Sequence, residues 1–348
     1  MDYAPISNKV TLKFTDKFQE HRQDISAIRL TLDNHLWLGS DETSTIERLS
    51  FVDDGTYANH RHFNVADFIN LPAPADEEID IEGLAYSDYY LWFVGSHSWK
   101  RKQPKSDKTD EKNIKRLTKL ESEPNRYLIG RIPLINGELV KAATHPEKPE
   151  IQLTAAKLEV TKRGNLLMDA LVNDAHLGVF VQATIPGKEN GFDIEGLAVY
   201  GERIFLGLRG PVLRGWAVML EIEIEAKGTD LLKLKKGQYK KYFINLNGLG
   251  IRDLCLDGEN LLILAGPTMD LDGPVRVYRL EAIAELQENV LHKPTQILEI
   301  PYGNGNEHAE GMTLITNTET PSILVVYDSP ASERLVGESD VMADVFKL

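Results

Sequence analysis

Two identical hexapeptides place acidic side chains where they could do chemistry. The sequence Asp-Ile-Glu-Gly-Leu-Ala begins at Asp80 and again at Asp193, so each copy carries a second carboxyl group two residues later, at Glu82 and Glu195. Two carboxyl groups with different pKa values can divide the roles of acid and base. Carboxylate oxygens also suit hard cations such as Ca²⁺ and Mg²⁺. The hexapeptide therefore predicts acid–base catalysis, cation binding or both.

Weaker copies of the hexapeptide show that it belongs to a repeat. Related segments begin at Asp24, Gly250 and His308, and the second positions of the five copies lie 56, 113, 57 and 58 residues apart. The long interval is close to two periods, as expected of a repeat with one enlarged member. The weaker copies add Asp253 and Glu310 to the set of acidic side chains.

The segments after each copy predict the elements that position these acids. Turn residues and a second apolar run follow, for example YYLWFVGS after Asp88 and ERIFLGLRG after Gly201, which is typical of a β-hairpin. Later apolar runs supply a third and a fourth strand, and four short strands in a repeat of about 40 to 60 residues are typical of a β-propeller blade. The sequence thus predicts an all-β propeller. Five blades are favoured, and six are possible if a degenerate blade lies near residues 130–160.

The two chain ends predict how the ring closes. The last repeat ends after its third strand at Leu348, whereas the strand-like segment NKVTLKF precedes the first copy without a blade of its own. An N-terminal strand that completes the last blade would leave no long exposed edge. We therefore expect residues near Val10 to Phe14 to pair beside the C-terminal strand, and the whole of 1–348 to form a single domain.

Two insertions account for the long interval between copies. Residues 99–126 are highly charged and poor in apolar positions, and this composition predicts an exposed, mobile loop. Residues 153–178 include Leu166, Leu167, Ala170 and Leu171 at helical spacing, with Gly178 as the expected stop.

Propeller geometry predicts that the candidate side chains meet at one mouth of the central channel. The start of the first strand and the end of the second strand of each blade lie on the same face of the ring. We expect Glu82 and Glu195 to act as catalytic carboxyl groups with His97 as a further base, and we expect a divalent cation, Ca²⁺ or Mg²⁺, at the metal ligands Asp80, Asp193, Asp253 and Glu310. Like charges crowded at this mouth require compensation by a cation, an arginine or a proton.

Basic side chains near the same loops are candidates for binding an anionic substrate. Arg209 and Arg214 flank a Gly-Pro turn, and Lys188 and Arg252 lie beside copies of the hexapeptide. A guanidinium group suits phosphate or carboxylate oxygens. An equally open alternative is that these arginines form structural ion pairs and that the acids only cap backbone N–H groups.

Charge and composition narrow the classes of partner. The net charge of −14 argues against a nucleic-acid or anionic-membrane partner, since the footprint of both is basic. No basic region followed by an apolar run precedes the first strand, and Cys255 is the single cysteine, so nothing calls for an oxidising compartment. We expect a cytoplasmic protein with a small-molecule or anionic substrate.

Three segments resemble the bacterial family DUF3616, and the resemblance extends over nearly the whole chain. The segments are KENGFDIEGLAVYGERIFLGLRGPVLRGWAVMLEIEIE, DIEGLAYSDYYLWFVGSHSWKR and IRDLCLDGENLLILAGPT. The resemblance implies a β-propeller and carries over no activity. Asp-x-Glu-Gly-Leu openings are more distantly similar to phytase-like esterases and SdiA-regulated propellers. That similarity implies metal-assisted phosphoester or ester hydrolysis, with a propeller that binds a small ligand or peptide without chemistry as the alternative. Only Asp80, Glu82, Asp193, Glu195 and Glu310 match the shared motif.

Overall fold

Antiparallel β-strands form nearly all of the regular structure. The computed structural model describes residues 3–15, 18–269, 271–305, 307–315 and 320–348. In chain order the strands are β1 (Asn8–Lys13), β2 (Ile25–Leu30), β3 (His35–Ser40), β4 (Thr45–Asp53), β5 (Thr56–Asn64), β6 (Ile81–Ser87), β7 (Tyr90–Gly95), β8 (Lys100–Arg101), β9 (Leu120–Glu121), β10 (Ile129–Ile135), β11 (Glu138–Leu139), β12 (Ala142–Thr144), β13 (Gln152–Thr154), β14 (Ala156–Leu158), β15 (Val160–Thr161), β16 (Gly164–Asn165), β17 (Asp193–Tyr200), β18 (Arg203–Gly210), β19 (Trp216–Lys227), β20 (Leu231–Asn245), β21 (Gly250–Asp257), β22 (Asn260–Gly266), β23 (Val275–Leu280), β24 (Leu291–His292), β25 (Thr295–Ile300), β26 (His308–Ile315), β27 (Ser322–Asp328), β28 (Leu335–Val336) and β29 (Asp340–Lys347). The α-helices are α1 (Asp110–Leu117), α2 (Leu166–Leu171) and α3 (Gly178–Gln182), and short 3-10 helices lie at Val65–Asp67, Pro124–Tyr127, Ile283–Glu285 and Ser332–Arg334.

Within the described residues, hydrogen bonding joins the main strands into five four-stranded antiparallel groups, which we name blades 1 to 5. They are β2–β5, then β6, β7, β10 and β14, then β17–β20, then β21, β22, β23 and β25, and last β26, β27, β29 and β1. The first strands neighbour one another in the closed order β2, β6, β17, β21, β26 and back to β2. The predicted β-propeller fold is confirmed.

The N-terminal strand completes the last blade as predicted. β1 pairs with β29 in antiparallel register from Asn8 opposite Val345 to Lys13 opposite Asp340. β1 also pairs in parallel with the outer strand of blade 1, with Thr11 opposite Thr56. Leu12 of this strand is completely buried. Burial of such a side chain stabilises the folded state by about 1.5–3 kcal/mol, so the closure is held by packing as well as by ladder hydrogen bonds.

Apolar packing between neighbouring blades forms the core. Five buried apolar clusters lie at the blade-to-blade contacts, including one between blade 5 and blade 1. In that contact Val326 and Val341 of blade 5 pack with Ile28 and Leu36 of blade 1. Alternate residues of a strand serve the two faces of its blade, so inner strands such as β7 and β22 are apolar at almost every position.

The two insertions carry more regular structure than the sequence indicated. Within residues 99–126, β8 pairs with β9 and the exposed helix α1 lies between them, where the sequence predicted only a loop. Helix α2 lies at the predicted place, and the side chain of Asn165 caps it by accepting from the N–H groups of Leu167 and Met168. Gly178 does not stop this helix but begins α3, because α2 already ends at Leu171.

The stretch near residues 130–160 supplies β10 and β14 of blade 2 and the small hairpin β12–β13. None of the helices in the described residues has the length and apolar character needed to cross a lipid bilayer.

Candidate functional site

A β-bulge at the same repeat position of every blade aims one side chain toward the central axis. In blade 2 Ile81 lies opposite Gly95 and Gly83 lies opposite Val94, so Glu82 has no residue opposite it. The same register shift occurs in the first strand of the other four blades. A bulge leaves one residue unpaired and re-aims its side chain. The bulge residues are Ser26, Glu82, Glu195, Arg252 and Glu310.

The glycine after the bulge lets the next blade approach closely. A Cβ atom at Gly83 would lie 2.8 Å from Cβ of Leu197 and 3.1 Å from the backbone oxygen of Glu195. A Cβ atom at Gly196 would lie 2.7 Å from Cγ of Leu254. The fourth residue of the hexapeptide is therefore glycine for packing, and this packing brings the bulge residues of neighbouring blades together.

Two arginines hold two of the bulge acids. Arg209 Nη1 donates to Glu195 Oε1 at 2.7 Å, and Arg252 Nη1 donates to Glu310 Oε1 at 2.5 Å. Arg252 Nη1 also lies 3.4 Å from Glu195 Oε2. Burial opposes ionisation of Glu310, but Arg252 and the other cations outweigh it and hold its pKa below the ordinary value. Side chains of three blades thus meet in one charged cluster. We use the name funnel for this cluster together with the remaining bulge residues, Ser26 and Glu82.

A third arginine of the funnel was not among the sequence candidates. Arg126 Nη2 lies 2.5 Å from Asp80 Oδ2, and its Nη1 donates to Glu78 at 2.6 Å. Burial raises the pKa of Asp80 to about 6, although the charge of Arg126 lowers it. Arg126 lies at the end of the first insertion, just before β10. The only sequence signal was a lone basic residue ahead of a strand, which does not distinguish it from surface arginines.

Several other carboxyl groups of the funnel have raised pKa values. Burial and the charge of Glu195 raise the pKa of Asp193 to about 8. Burial and the charge of Glu310 raise the pKa of Asp328 to about 7. Burial and the neighbouring acid Asp328 raise the pKa of Asp41 well above its ordinary value. Asp193 and Asp328 thus bind protons near neutral pH, which relieves part of the repulsion expected from crowded acids.

Lys188 reaches the funnel from the loop before β17. The residue is exposed, yet its ammonium group lies near enough to the charges of Glu310 and Asp328 that its pKa is raised despite partial desolvation. Within the described residues Lys188 forms no ion pair. It is therefore a cation at the mouth of the funnel that remains open to a ligand.

Glu82 differs from the other bulge acids. No residue among those described hydrogen-bonds or pairs with its carboxyl group, although the residue is only 9% exposed. Burial and the charges of Asp80 and Glu195 raise its pKa well above the ordinary value. Its surroundings therefore favour the protonated form of Glu82, and within the described chain this carboxyl group has no protein partner.

Arg29 and Asp253 form the floor of the funnel. Arg29 donates to the backbone oxygens of Leu84 and Leu254, at 2.9 and 2.8 Å, and so links blades 1, 2 and 4 across the axis. Asp253 accepts from the N–H groups of Leu254 and Met312, and one oxygen lies 3.6 Å from Arg29. Burial raises the pKa of Asp253 to about 7 against the charge of Arg29. Asp253 is thus a structural residue beneath the funnel.

His97 does not have the predicted role of a base. Its side chain is buried, Nδ1 lies 2.7 Å from the backbone oxygen of Gly95, and Nε2 lies 2.7 Å from the side-chain amide of Asn165. These partners assign the proton to Nδ1, which donates to Gly95, while Nε2 accepts from Asn165. Burial lowers the pKa of His97 to about 4, so the ring is neutral. His97 ties blade 2 to the cap of α2.

Arg214 also lies away from the predicted place. Its side chain is exposed in the turn between β18 and β19, and no hydrogen bond or ion pair within the described chain joins it to Arg209 or to the funnel. Of the two arginines that flank the Gly-Pro turn, only Arg209 belongs to strand β18 and pairs with an acid of the funnel.

The predicted metal ligands do not fit a divalent cation. Among the described residues no group of three or more His, Cys, Asp or Glu side chains converges closely enough to hold a metal ion. Asp80 pairs with Arg126, Glu310 with Arg252 and Asp253 with Arg29, so arginines stand where a bound cation would be needed. The open alternative of structural ion pairs holds for these residues.

The five repeats extend over most of the chain, and so does the family match. A model of the family described as "Protein of unknown function (DUF3616)" matches residues 24–344. The chain belongs to the DUF3616 family. The match runs from the first copy of the repeat to the last strand, so the resemblance predicted from the hexapeptides is confirmed.

Solved structures similar to this DUF3616 member share little sequence with it. Virginiamycin B lyase from Staphylococcus aureus has 11% identity, covers 98% of this chain and 99% of its own, and has a TM-score of 0.35. A putative gluconolactonase has 9% identity, coverages of 99% and 91%, and a TM-score of 0.42. The PQQ-bound aldose sugar dehydrogenase from Streptomyces coelicolor has 11% identity, coverages of 99%, and a TM-score of 0.39. At these values the likeness gives no basis for assigning those proteins' reactions to this chain. No curated protein matches it.

Proposed function

We propose that this protein is a hydrolase that works by carboxyl acid–base chemistry in the funnel, with Glu82 as the general acid. The observation that carries the proposal is the unpartnered, nearly buried carboxyl group of Glu82 among acids that arginines hold. A buried polar group without a partner destabilises the fold. Such a group is therefore a candidate for function, particularly where its pKa is strongly raised.

Glu195 is the corresponding base. Arg209 binds its Oε1, whereas its Oε2 is buried without a hydrogen-bond partner in the described residues. The adjacent guanidinium groups keep Glu195 in contact with positive charge, and Glu82, whose raised pKa favours the protonated form, lies on the neighbouring blade. Proton transfer from Glu82 to the leaving oxygen and from water to Glu195 would accompany formation of the new C–O bond and cleavage of the old one. This division of roles needs no metal ion.

Charge in the funnel favours an uncharged substrate over an anionic one. Arg126, Arg209 and Arg252 each bind a carboxylate, so among the described residues of the funnel Lys188 is a cation that stays open to a ligand. A phosphate ester would bring negative charge into a cluster where several acids already bind protons to limit repulsion. An ester, lactone or glycoside without charge avoids this penalty. The geometry therefore gives better support to these substrates than to a phosphoester.

Binding without chemistry is the second candidate function, and a specific observation favours it. Arg126, Arg209 and Arg252 are each held by a carboxylate of the funnel, and such fixed ion pairs are typical of a rigid, preorganised binding surface. In that case Glu82 would donate a hydrogen bond to a ligand rather than a proton to a leaving group.

Hydrolysis assays with a matched pair of variants separate these candidates. We expect turnover of uncharged nitrophenyl esters or glycosides or of a lactone, weaker turnover of nitrophenyl phosphate, and no effect of EDTA. Glu82→Gln should lower kcat by about 100-fold or more, since it removes the proton and keeps the shape. Glu221→Gln is the control, because Glu221 is a buried acid of blade 3 whose partner Arg203 is outside the funnel.

Several results would contradict the proposed hydrolase activity. They are absence of turnover on the whole panel, loss of turnover in EDTA, or an unchanged rate in Glu82→Gln. Saturable binding of an uncharged compound that Glu82→Gln weakens, with no product formed, would support the binding function instead.

A further inference from the structure

The two insertions meet in a cavity outside the funnel. Its volume is ≈ 560 Å³, and its walls come from the hairpin β15–β16, helices α2 and α3, the end of the first insertion and residues 184–192. A cavity of about 300–1,000 Å³ suits a small organic ligand. We call it the insertion pocket.

Aromatic side chains form its walls. Trp99, Tyr127, Phe180 and Phe192 line the insertion pocket, with Met168 of helix α2. Tyr127 is buried and its hydroxyl lies 3.0 Å from Oγ of Ser122. Flat rings held by packing offer large contact areas to another ring at little entropic penalty, so these walls favour an aromatic ligand.

Tyr127 is also fixed by its neighbour across the pocket. A Cβ atom at Gly164 would lie 2.3 Å from Cδ1 of Tyr127, so the β15–β16 hairpin can pack on the ring only because residue 164 is glycine. This contact joins the second insertion to the 3-10 helix Pro124–Tyr127, which follows the first insertion, and it shapes the pocket before any ligand arrives. A preformed pocket spares a ligand the penalty of ordering loops.

The charge of the pocket is opposite to that of the protein. Its lining includes Lys162 and Arg163 and no acidic residue, whereas the whole chain has a net charge of −14. Arg163 pairs with Asp169 at 3.3 Å, but Lys162 is exposed and forms no ion pair within the described residues. Lys162 is therefore free to bind an anion at the rim while a ring lies between the aromatic walls.

We propose that the insertion pocket binds a small organic anion built on an aromatic ring, such as an aromatic carboxylate. The ring packs between Phe180, Phe192 and Trp99, and the carboxylate lies at the rim near Lys162. The proposal does not rest on hydrolysis in the funnel, since none of the bulge residues lines this pocket.

Calorimetric titration with naphthoate tests the proposal, with naphthylmethanol and naphthylmethylammonium as uncharged and cationic probes of the same ring. We expect saturable binding of naphthoate, weaker binding of the alcohol and weakest binding of the cation. Lys162→Glu should lower the affinity for naphthoate by about 5-fold or more and should leave the affinity for the alcohol unchanged, since it reverses one exposed charge. Lys233→Glu is the control, because Lys233 is an exposed lysine of β20 outside the pocket.

Phe180→Ala tests the aromatic wall and should weaken both naphthoate and the alcohol by about tenfold, because it removes buried apolar contact. Its melting temperature must be compared with wild type, and Lys162→Glu keeps the proposal testable if Phe180→Ala fails to fold. The proposal is wrong if naphthoate shows no saturable binding at millimolar concentration, if the cation binds as well, or if Lys188→Ala abolishes the binding, which would locate the anion in the funnel.

Discussion

Arg252 and Glu310 occupy the same position in the repeats of neighbouring blades, and their side chains meet in an ion pair of 2.5 Å. Both are bulge residues, so one blade supplies the positive charge that its neighbour's acid requires. Arg252 also lies 3.4 Å from Glu195, the bulge residue on its other side. The crowded acids of the funnel are thus compensated from within the repeat, and arginine takes the place expected for a bound cation.

Removing one partner of this pair should destabilise the protein more than removing both. Arg252→Met leaves the buried carboxyl group of Glu310 without its ion-pair partner. This change should lower the free energy of unfolding by about 3–5 kcal/mol. The double variant with Glu310→Leu should recover part of that loss, because no charge is stranded between those two positions. Urea unfolding of both single variants and the double variant measures the coupling. Strictly additive losses would show that the two side chains do not interact.

Glu82 and Glu195 should respond differently to the same substitution. The raised pKa of Glu82 favours its neutral form, so Glu82→Gln should change the free energy of unfolding at neutral pH by less than about 1 kcal/mol. Glu195→Gln deprives Arg209 and Arg252 of a buried charge and should cost about 3–5 kcal/mol. Urea unfolding of both variants compares them directly. Equal losses would mean that Glu82, like Glu195, is held by a partner of opposite charge.

Stability should fall as the pH rises from about 6.5 to about 8.5. The pKa of Asp193 is about 8 in the folded protein against an ordinary value of 3.8, so the folded state holds a proton that the unfolded chain has lost. The stabilisation is complete below the unfolded pKa and is lost as the pH rises through about 8. Asp253 and Asp328, with pKa values of about 7, act in the same direction.

His97 and Glu310 have pKa shifts that act outside this window. The pKa of His97 is about 4 in the fold against 6.5 ordinarily, so its effect ends near pH 6.5, and the lowered pKa of Glu310 lies in the acid range. Between the two ends of this pH window, the free energy of unfolding should fall less in Asp193→Asn than in wild type, by an amount on the order of 1 kcal/mol. Thermal melts at intervals of pH measure the slope in both proteins. A wild-type melting temperature that is flat or rises would contradict the raised pKa values.

The terminal strand should contribute several kcal/mol to stability. Leu12→Ala removes a completely buried side chain and should cost about 2–5 kcal/mol, whereas Lys13→Ala on the same strand is the exposed control. Deleting residues 1–14 removes β1 and all of its pairing with β29. The deletion should therefore lower the melting temperature more than Leu12→Ala does. An unchanged melting temperature after the deletion would count against ring closure by β1.

The sequence by itself determined the propeller and the neighbourhood of its candidate site. The five copies of the hexapeptide mark five equivalent strands, and equivalent strands of a closed ring must meet at one axis whatever their side chains. That local periodicity was enough to bring Glu82, Glu195, Arg252 and Glu310 together and to assign β1 to the last blade. Strand periodicity and turn residues act over a few neighbouring positions, so they can be read from the chain directly.

Tertiary structure alone decided which of those residues are free to act. Arg126 and Arg29 belong to the funnel through contacts with residues distant in sequence, as when Arg29 binds the backbone of Leu254, 225 positions away. The same packing buries His97 against Asn165 and leaves Glu82 without a described partner. The insertion pocket likewise exists only because two separate insertions meet. Burial and charge pairing depend on distances between blades, and a repeat specifies equivalent positions without specifying which side chain of a neighbouring blade will face each one.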